Sequence, residues 1–262
     1  MEIKEFLKPK SLDEAFEVLS ASSNNRIIGG GAWIKISLKK VDTLISLEEL
    51  DLNYIKEEND FYEIGSMTSL RDLEVHDGIK SLASGILSQA ISNIMGVTVR
   101  NIATIGGSVM GKFAFSDLLG VLQVLDAELV FYQMGIVSVE DFVNMTKIPK
   151  DILLAIKIKK QTGKAYFKKI AITHLDFSIL NMAITNSKGL KIAVGSRPNI
   201  AIRARRTEVF LNGKKAITDD LINEAIDLAM DEIKLGDNSR GSKDYRELLM
   251  KTYLKRAIRE VI

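Results

Sequence analysis

The stretch Val99-Arg100-Asn101-Ile102-Ala103-Thr104-Ile105-Gly106-Gly107-Ser108-Val109-Met110-Gly111-Lys112-Phe113-Ala114-Phe115-Ser116-Asp117 decides how this chain is read. It sets Gly106-Gly107 directly after an apolar, β-type run. Far upstream a second apolar run, Ile27-Ile28, opens Gly29-Gly30-Gly31. Glycine reaches φ > 0 and carries no Cβ, so consecutive backbone N–H groups can converge on an anion at close range. Two such turns can cradle one ligand, and a phosphate is the expected one.

Working outward, Leu82, Ala83, Ile86, Leu87, Ala90, Ile91 and Ile94 predict a helix within 80–95 that feeds straight into the glycine stretch. Residues 54–57 and 61–64, separated by Glu58-Asn59-Asp60, read as a β-hairpin, and Thr68 with Arg71 and Asp72 starts a short helix. On the other side, 117–125 reads as a buried helix, and 127–132 and 152–158 as strands, with Pro149 punctuating the loop between them. Together 54–160 make one α+β unit.

Residues 1–50 read as strand, helix, strand, loop, strand. Ser11 followed by Glu14 is a capping box, and Leu12, Ala15, Phe16, Val18 and Leu19 supply a helix face. Residues 26–28 form a strand ending in the triple glycine and 43–47 another, which argues for a small βαβ-like unit. Beyond 160, three β-type runs (165–171, 178–185, 190–194) precede helices at 203–211, 219–233 and 243–262, with Asn186-Ser187-Lys188-Gly189 as a hairpin turn. That order predicts an antiparallel sheet covered on one face by helices. The fold class is α+β.

Composition narrows the function. Lys plus Arg (36) and Asp plus Glu (34) leave a net +2, no electrostatic footprint for nucleic acid or an anionic membrane. The basic clusters at Lys157-Ile158-Lys159-Lys160 and Arg203-Ala204-Arg205-Arg206 read as solvated faces or partner contacts. The sequence has no cysteine, so it carries no thiolate zinc site and no cysteine-held iron–sulfur cluster. His76 and His174 are its only histidines and lie far apart, so no metal site is expected. Any redox chemistry therefore needs an organic cofactor. The first residues show no apolar leader and no run approaches the ~18 apolar residues of a membrane span, so the expected address is the cytoplasm.

Neither glycine run fits G-x-G-x-x-G, and no G-x-x-x-x-G-K-[ST] occurs, which disfavours a Rossmann or P-loop site. Thr104-Ile105-Gly106-Gly107, preceded by Val99-Arg100-Asn101-Ile102-Ala103 and followed ten residues after Gly107 by Asp117, instead resembles the signature of the FAD-binding subunit of molybdenum hydroxylases. These are enzymes of the xanthine dehydrogenase and carbon monoxide dehydrogenase type, whose flavin module shares the two-lobed fold of the vanillyl-alcohol oxidase (PCMH) group. Gly29-Gly30-Gly31-Ala32-Trp33-Ile34 falls where the family has its first loop, typically A-G-G-T-D-L. The likeness continues through Tyr166-Phe167-Lys168, Asp176, residues 195–198, Arg203-Ala204, Leu211-Asn212-Gly213, and the last helix from Gly241-Ser242 to Arg256-Ala257.

The resemblance implies an FAD-binding domain over 1–160, with a small lobe 1–53 and a larger lobe 54–160, and over 161–262 a C-terminal domain of the carbon monoxide dehydrogenase flavoprotein type. It implies that Ile28, Gly29, Gly30, Gly31, Ala32 and Trp33 hold one side of the FAD pyrophosphate, while Thr104, Ile105, Gly106, Gly107 and Ser108 pack against phosphate and isoalloxazine. Asp117 takes a ribose or adenine contact or simply caps the following helix. Ile94 is a wall of the adenine pocket or core. Leu153 and Lys168 sit at the flavin end, or are respectively core and a solvated strand lysine. Trp33 stacks on the cofactor, meets a partner surface or fills core.

The sequence departs from the family at several positions. Ala32 and Trp33 replace Thr and an acidic residue, Ser108 replaces Asn, Gly111-Lys112-Phe113-Ala114 replaces a His-Ala-x-Pro-like run, and Ile172-Thr173 stand where Arg-Arg is common. The implied function is an electron-transfer subunit, with a molybdenum cofactor-binding large subunit and an iron–sulfur small subunit as partners and NAD or another acceptor downstream. No side chain need act as acid or base. A free-standing flavin reductase and a cofactor-free structural subunit are the rival readings.

Overall fold

The structure, a computed structural model, describes residues 2–33 and 40–262. In chain order the first elements are β1 (Glu2–Leu7), α1 (Leu12–Ala21), β2 (Arg26–Ile28), β3 (Lys40–Ser46), β4 (Ile55–Glu57) and β5 (Phe61–Gly65). Short helices follow: α2 (Leu70–Val75), α3 (Asp77–Ser81), a 3₁₀ turn (Leu82–Gly85), α4 (Ile86–Ser92), α5 (Val97–Ile102), α6 (Ile105–Met110) and α7 (Leu118–Val124). Then come β6 (Glu128–Phe131), β7 (Gly135–Ser138), α8 (Val139–Asn144), β8 (Leu153–Lys159), β9 (Lys164–Ile170), β10 (Leu180–Asn186), β11 (Leu190–Gly195) and β12 (Ile202–Arg203). The described chain closes with α9 (Arg205–Asn212), α10 (Asp219–Glu232) and α11 (Lys243–Val261). These elements make two compact units, residues 1–73, 96–111 and 127–159 in one, 74–95, 112–126 and 160–262 in the other.

In the first unit β1 and β2 both run parallel to the central β3. The capping box forms: Ser11 Oγ accepts the N–H of Glu14 at 3.2 Å, and the Glu14 carboxylate accepts the N–H of Lys10 at 2.7 Å. Ala15 and Leu19, four apart on one face of α1, bury against Ile45, Leu47, Leu52 and Ile152. A five-stranded antiparallel sheet, ordered β4-β5-β8-β6-β7, completes the strands of this unit and contains the expected hairpin. β7 and α8 were not anticipated; α8 starts on Ser138, whose Oγ accepts the N–H of Asp141 at 3.0 Å.

In the second unit β9–β12 form an antiparallel sheet in the order β12-β11-β10-β9. Leu180, Met182 and Ile184 of β10 and Leu190, Ile192 and Val194 of β11 point with period two into a core shared with Ile222, Ala225, Ile226 and Ala229 of α10 and Met250, Leu254, Ala257 and Ile258 of α11. The C-terminal helices thus cover one face, as their order predicts. On the opposite face Thr185 Oγ1 donates to the Val124 carbonyl at 3.1 Å, which places α7 there. Arg203 and Glu208 form a buried two-point ion pair, both N–O distances 2.6 Å.

Three expectations fail around the glycine stretch. The β-type run before Gly106 is helical, α5 and α6 separated by Ala103 and Thr104. Its β-branched residues disfavour helix by only a few tenths of a kcal/mol each, whereas an N-cap contributes about 1 kcal/mol. Thr104 supplies that cap, its Oγ1 accepting the N–H of Gly107 at 3.1 Å. The helix expected within 80–95 is broken, because Ala83 (φ 43°), Ser84 (φ 55°) and Gly85 (φ 74°) leave helical space. The break is tied to Gln161 O by Ala83 N–H at 3.1 Å and to Gly163 O by Ser84 Oγ at 3.0 Å, contacts that periodicity does not contain. Finally, Asp117 stands at the N-cap position of α7 but its side chain makes no capping hydrogen bond; Ser116 Oγ instead lies 3.3 Å from the N–H groups of both Leu118 and Leu119.

Candidate functional site

The two glycine turns meet inside the first unit. Gly29 and Gly30 follow β2 directly, and Thr104 stands between α5 and α6. A Cβ at Gly29 would lie 2.5 Å from Thr104 Oγ1, and one at Gly30 would overlap the carbonyl oxygen of Ile102. A Cβ at Gly106 would lie 2.6 Å from the carbonyl oxygen of Ser66. Glycine is therefore needed at 29 for close approach of the Thr104 side chain and at 30 and 106 for close approach of backbone; of Gly29, Gly30, Gly31, Gly106 and Gly107, only Gly31, at φ 73°, has a positive φ.

Beside this contact lies a cleft of about 540 Å³ lined by Gly29, Gly30, Ser46, Glu48, Asn53, Met67, Ser69, Asp72, Asn101, Ile102 and Thr104. It sits at the carboxyl ends of the parallel strands β2 and β3, where the loops diverge and sheets of this kind bind ligands. The N–H groups of Ile105, Gly106, Gly107 and Ser108 already donate to Thr68 O, Ser66 O, Thr104 Oγ1 and Thr104 O, at 2.9–3.1 Å. The converging donors expected at Gly106-Gly107 are thus engaged within the protein. Those of Gly30 and Gly31 have no acceptor among the described residues. The two carboxylates of the cleft are occupied, Asp72 by Ser69 Oγ at 2.7 Å and Glu48 by Lys8 at 2.7 Å.

The remaining sequence-predicted residues have these places. Ile28 ends β2, and Ala32 and Trp33 follow the glycines, all half-buried; Ile34 of the same motif lies outside the described residues. Ile105 and Leu153 are buried. Ser108 Oγ donates to the Thr104 carbonyl at 2.8 Å, within its own turn. In the second unit Ile94 is half-buried just beyond α4. The Lys168 ammonium lies 5.5 Å from the centroid of the Tyr253 ring. Asp117 is buried, its carboxylate accepting from Ser178 Oγ and from Asn181 Nδ2 at 2.8 Å, with Lys169 Nζ at 3.6 Å. Burial holds its pKa above the ordinary carboxyl value, the Lys169 charge and these hydrogen bonds opposing the shift.

Ser46, Glu48, Asn53, Met67, Ser69, Asp72, Asn101 and Ile102 line the cleft without having been singled out for it. Asn101 and Ile102 fall within the signature stretch 99–117, and the other six belong to no motif. Of those six, Ser46 carried a usable signal, as the last residue of a parallel strand.

Comparison with known proteins follows this geometry. Residues 1–159 match the FAD binding domain in molybdopterin dehydrogenase, and residues 165–261 match the CO dehydrogenase flavoprotein C-terminal domain. The chain is 28% identical, over 98% of its length and 97% of the relative's, to the glyceraldehyde dehydrogenase medium chain of Sulfolobus acidocaldarius. It is 25% identical, over 97% of its length and 95% of the relative's, to the carbon monoxide dehydrogenase medium chain of Hydrogenophaga pseudoflava. Among solved structures, a chain of carbon monoxide dehydrogenase from Hydrogenophaga pseudoflava shares the fold with a TM-score of 0.88 at 24% identity, covering 98% of this chain and 96% of that one. Quinoline 2-oxidoreductase from Pseudomonas putida 86 does so with a TM-score of 0.86 at 23% identity, covering 99% and 96%.

Fold and domain matches together define a flavoprotein module of the FAD-dependent oxidoreductases. The chain belongs to the FAD-binding subunits of the molybdenum hydroxylase family, of carbon monoxide dehydrogenase and xanthine dehydrogenase type, and the cofactor of that module is FAD. The residues present fit a diphosphate: the N–H of Gly30, at the cleft, and that of Gly31, next to it in the chain, have no acceptor among the described residues, and both carboxylates of the cleft already have partners. No helix among the described residues is long and apolar enough to cross a membrane.

Proposed function

We propose that this chain carries FAD in a multi-subunit molybdenum hydroxylase of the cytoplasm, receiving electrons from iron–sulfur clusters of a small subunit and passing them to NAD or another acceptor. Substrate oxidation then belongs to a large, molybdenum cofactor-binding subunit. The observation that carries this reading is the docking of Gly29 and Gly30 onto Ile102 and Thr104 beside a cleft at the carboxyl ends of β2 and β3.

In this reading residues 1–160 are the FAD domain and 161–262 the C-terminal domain. The N–H groups of Gly30 and Gly31 donate to the diphosphate, each charge-assisted bond contributing about 1.5–3 kcal/mol. Thr104 fixes both the start of α6 and the position of Gly29, and Ile28, Ala32, Trp33, Ile105–Ser108 and Leu153 shape the surroundings. Ile94, Asp117 and Lys168 keep the cofactor roles that the family pattern assigns them. When bound, FAD supplies a store for two electrons that can be filled one at a time. The chain's own residues bind and orient it, and none need exchange a proton with a substrate.

Absorbance of the purified chain tests the reading. Flavin bands, present on isolation or after incubation with FAD, are expected, together with co-purification of a molybdenum subunit and an iron–sulfur subunit. A chain that stays colourless with excess FAD refutes it.

A further inference from the structure

The five-stranded sheet of the first unit carries an ordered row of charges on one face. Its register sets Lys56 of β4 opposite Glu63 of β5, Glu63 opposite Lys157 of β8, and Lys157 opposite Glu128 of β6, and directly opposite residues share a face. Across four strands the row reads plus, minus, plus, minus. The alternate residues Tyr62, Ile64, Leu129, Ile156 and Ile158 are buried on the other face, whereas Lys56 is exposed and Glu63, Lys157 and Glu128 are half-buried. Within the row Glu63 and Lys157 form an ion pair at 3.2 Å. Lys56, whose ammonium lies 4.4 Å from the Tyr54 ring centroid, and Glu128 form no ion pair among the described residues. The two ends of the row thus hold opposite charges that the chain itself does not match.

The neighbouring rows follow the same geometry. Period two puts Phe61 and Lys159, opposite each other in β5 and β8, on one side of the charged row, and Gly65, Ala155 and Val130 on the other. Tyr54, whose carbonyl accepts the Gly65 N–H at 2.9 Å, extends that last row at its β4 end. A two-fold axis parallel to the strands, midway between β5 and β8, exchanges β5 with β8 and β4 with β6. Laid face to face about that axis, two copies set Lys56 against Glu128 and Glu63 against Lys157, each pair twice. The same operation sets Phe61 against Lys159, a cation over a ring, and Tyr54 against Val130. Gly65 meets Ala155 between them, where small residues let the sheets approach. Moving the axis onto β5 or onto β8 opposes like charges instead, so the row also specifies the register.

We infer that this face is a self-complementary interface through which two copies of the chain associate as a closed, isologous dimer. Exposed ion pairs contribute little singly, so association rests on the network and is sensitive to salt. The row lies outside the glycine cleft, and the inference is independent of the function proposed above.

Analytical ultracentrifugation of the full chain tests it. The wild type is expected to dimerise at low salt, with a Kd that rises about tenfold or more between about 0.05 and 0.5 M salt. Lys56→Glu alone and Glu128→Lys alone each oppose like charges at two contacts, and each is expected to raise the Kd about tenfold or more. Mixed in equal amounts, the two variants present opposite charges to each other at both contacts, and they are expected to associate with a Kd within about threefold of the wild type. A role for the row within one chain cannot produce recovery on mixing. A wild-type chain that stays monomeric at about 0.1 mM and low salt overturns the inference and leaves the face to a partner of different sequence. A dimer indifferent to both substitutions, or a mixture that stays monomeric, overturns it as well. Should either variant fail to fold by circular dichroism, Lys56→Gln and Glu128→Gln replace the pair; each is expected to raise the Kd about threefold or more, and an unchanged Kd in both overturns the inference.

Discussion

Gly30 is the residue at which sequence and function meet most directly. Its Cα rests against the Ile102 carbonyl, so even a methyl group must push two backbone segments apart. Gly30→Ala is expected to cost about 1–3 kcal/mol through overpacking. It should also lower FAD affinity more than tenfold by moving the Gly30 and Gly31 N–H groups, as a flavin titration would read. Gly96→Ala is the matched control, because nothing lies within 4 Å of a Cβ there, and it should keep both stability and FAD. Asp117 makes a second prediction. Burial raises its pKa above 3.8, so the folded protein holds that proton more tightly than the unfolded chain does. Its contribution to stability therefore falls as pH rises from 3.8 through the raised folded value. In Asp117→Asn this loss is absent, so the variant's Tm relative to wild type should climb as the pH is raised above 3.8; a constant difference would contradict the assignment.

Among the elements, α6 is a helix of six residues whose start is decided by Thr104. Thr104→Ala removes the acceptor for Gly107 N–H and the oxygen against Gly29, while Thr104→Ser keeps both. The expected loss is about 1 kcal/mol together with weaker FAD binding for alanine, and neither for serine. Ser138→Ala, which uncaps α8, should cost about the same in denaturant unfolding and leave FAD binding intact. In α11 the fully buried Arg246 donates to the carbonyls of Ile179, Ser196, Gly236 and Gly241 and to Asn238 Oδ1. Arg246→Met strands these acceptors, at about 1–3 kcal/mol for each one that stays dry, so a loss above about 3 kcal/mol is expected. Lysine, with three donors on a point charge, should recover little of it.

For the molecule as a whole, the proposed division of chemistry between subunits predicts that the isolated chain is a flavoprotein without hydroxylase activity of its own. Purified alone it should bind FAD and oxidise no hydroxylase substrate; with the molybdenum and iron–sulfur subunits its flavin should become reducible by that substrate. Turnover by the solitary chain would favour a free-standing reductase.

Much of this was legible from residues alone. Local chemistry announced α1 through Ser11 and Glu14, the β4–β5 hairpin through Glu58-Asn59-Asp60, and the hairpin of the second unit's sheet through the β-type runs 178–185 and 190–194 and the turn Asn186-Ser187-Lys188-Gly189 between them. These signals lie within a few residues of one another, so chain-local physics suffices to read them. The motif from Thr104 to Asp117 likewise identified the family and its cofactor. What the tertiary structure alone decided is how the glycine turns work. Gly29, Gly30 and Gly106 are glycines because Thr104, Ile102 and Ser66 come from elsewhere in the chain to touch them, and the donors at 105–108 are engaged by acceptors that folding brings there. Asp117 is a buried anchor rather than a cap because Ser178 and Asn181, more than sixty residues away in sequence, reach its carboxylate. Close approach and hydrogen-bond satisfaction are properties of distant segments meeting, and no spacing along the chain encodes them.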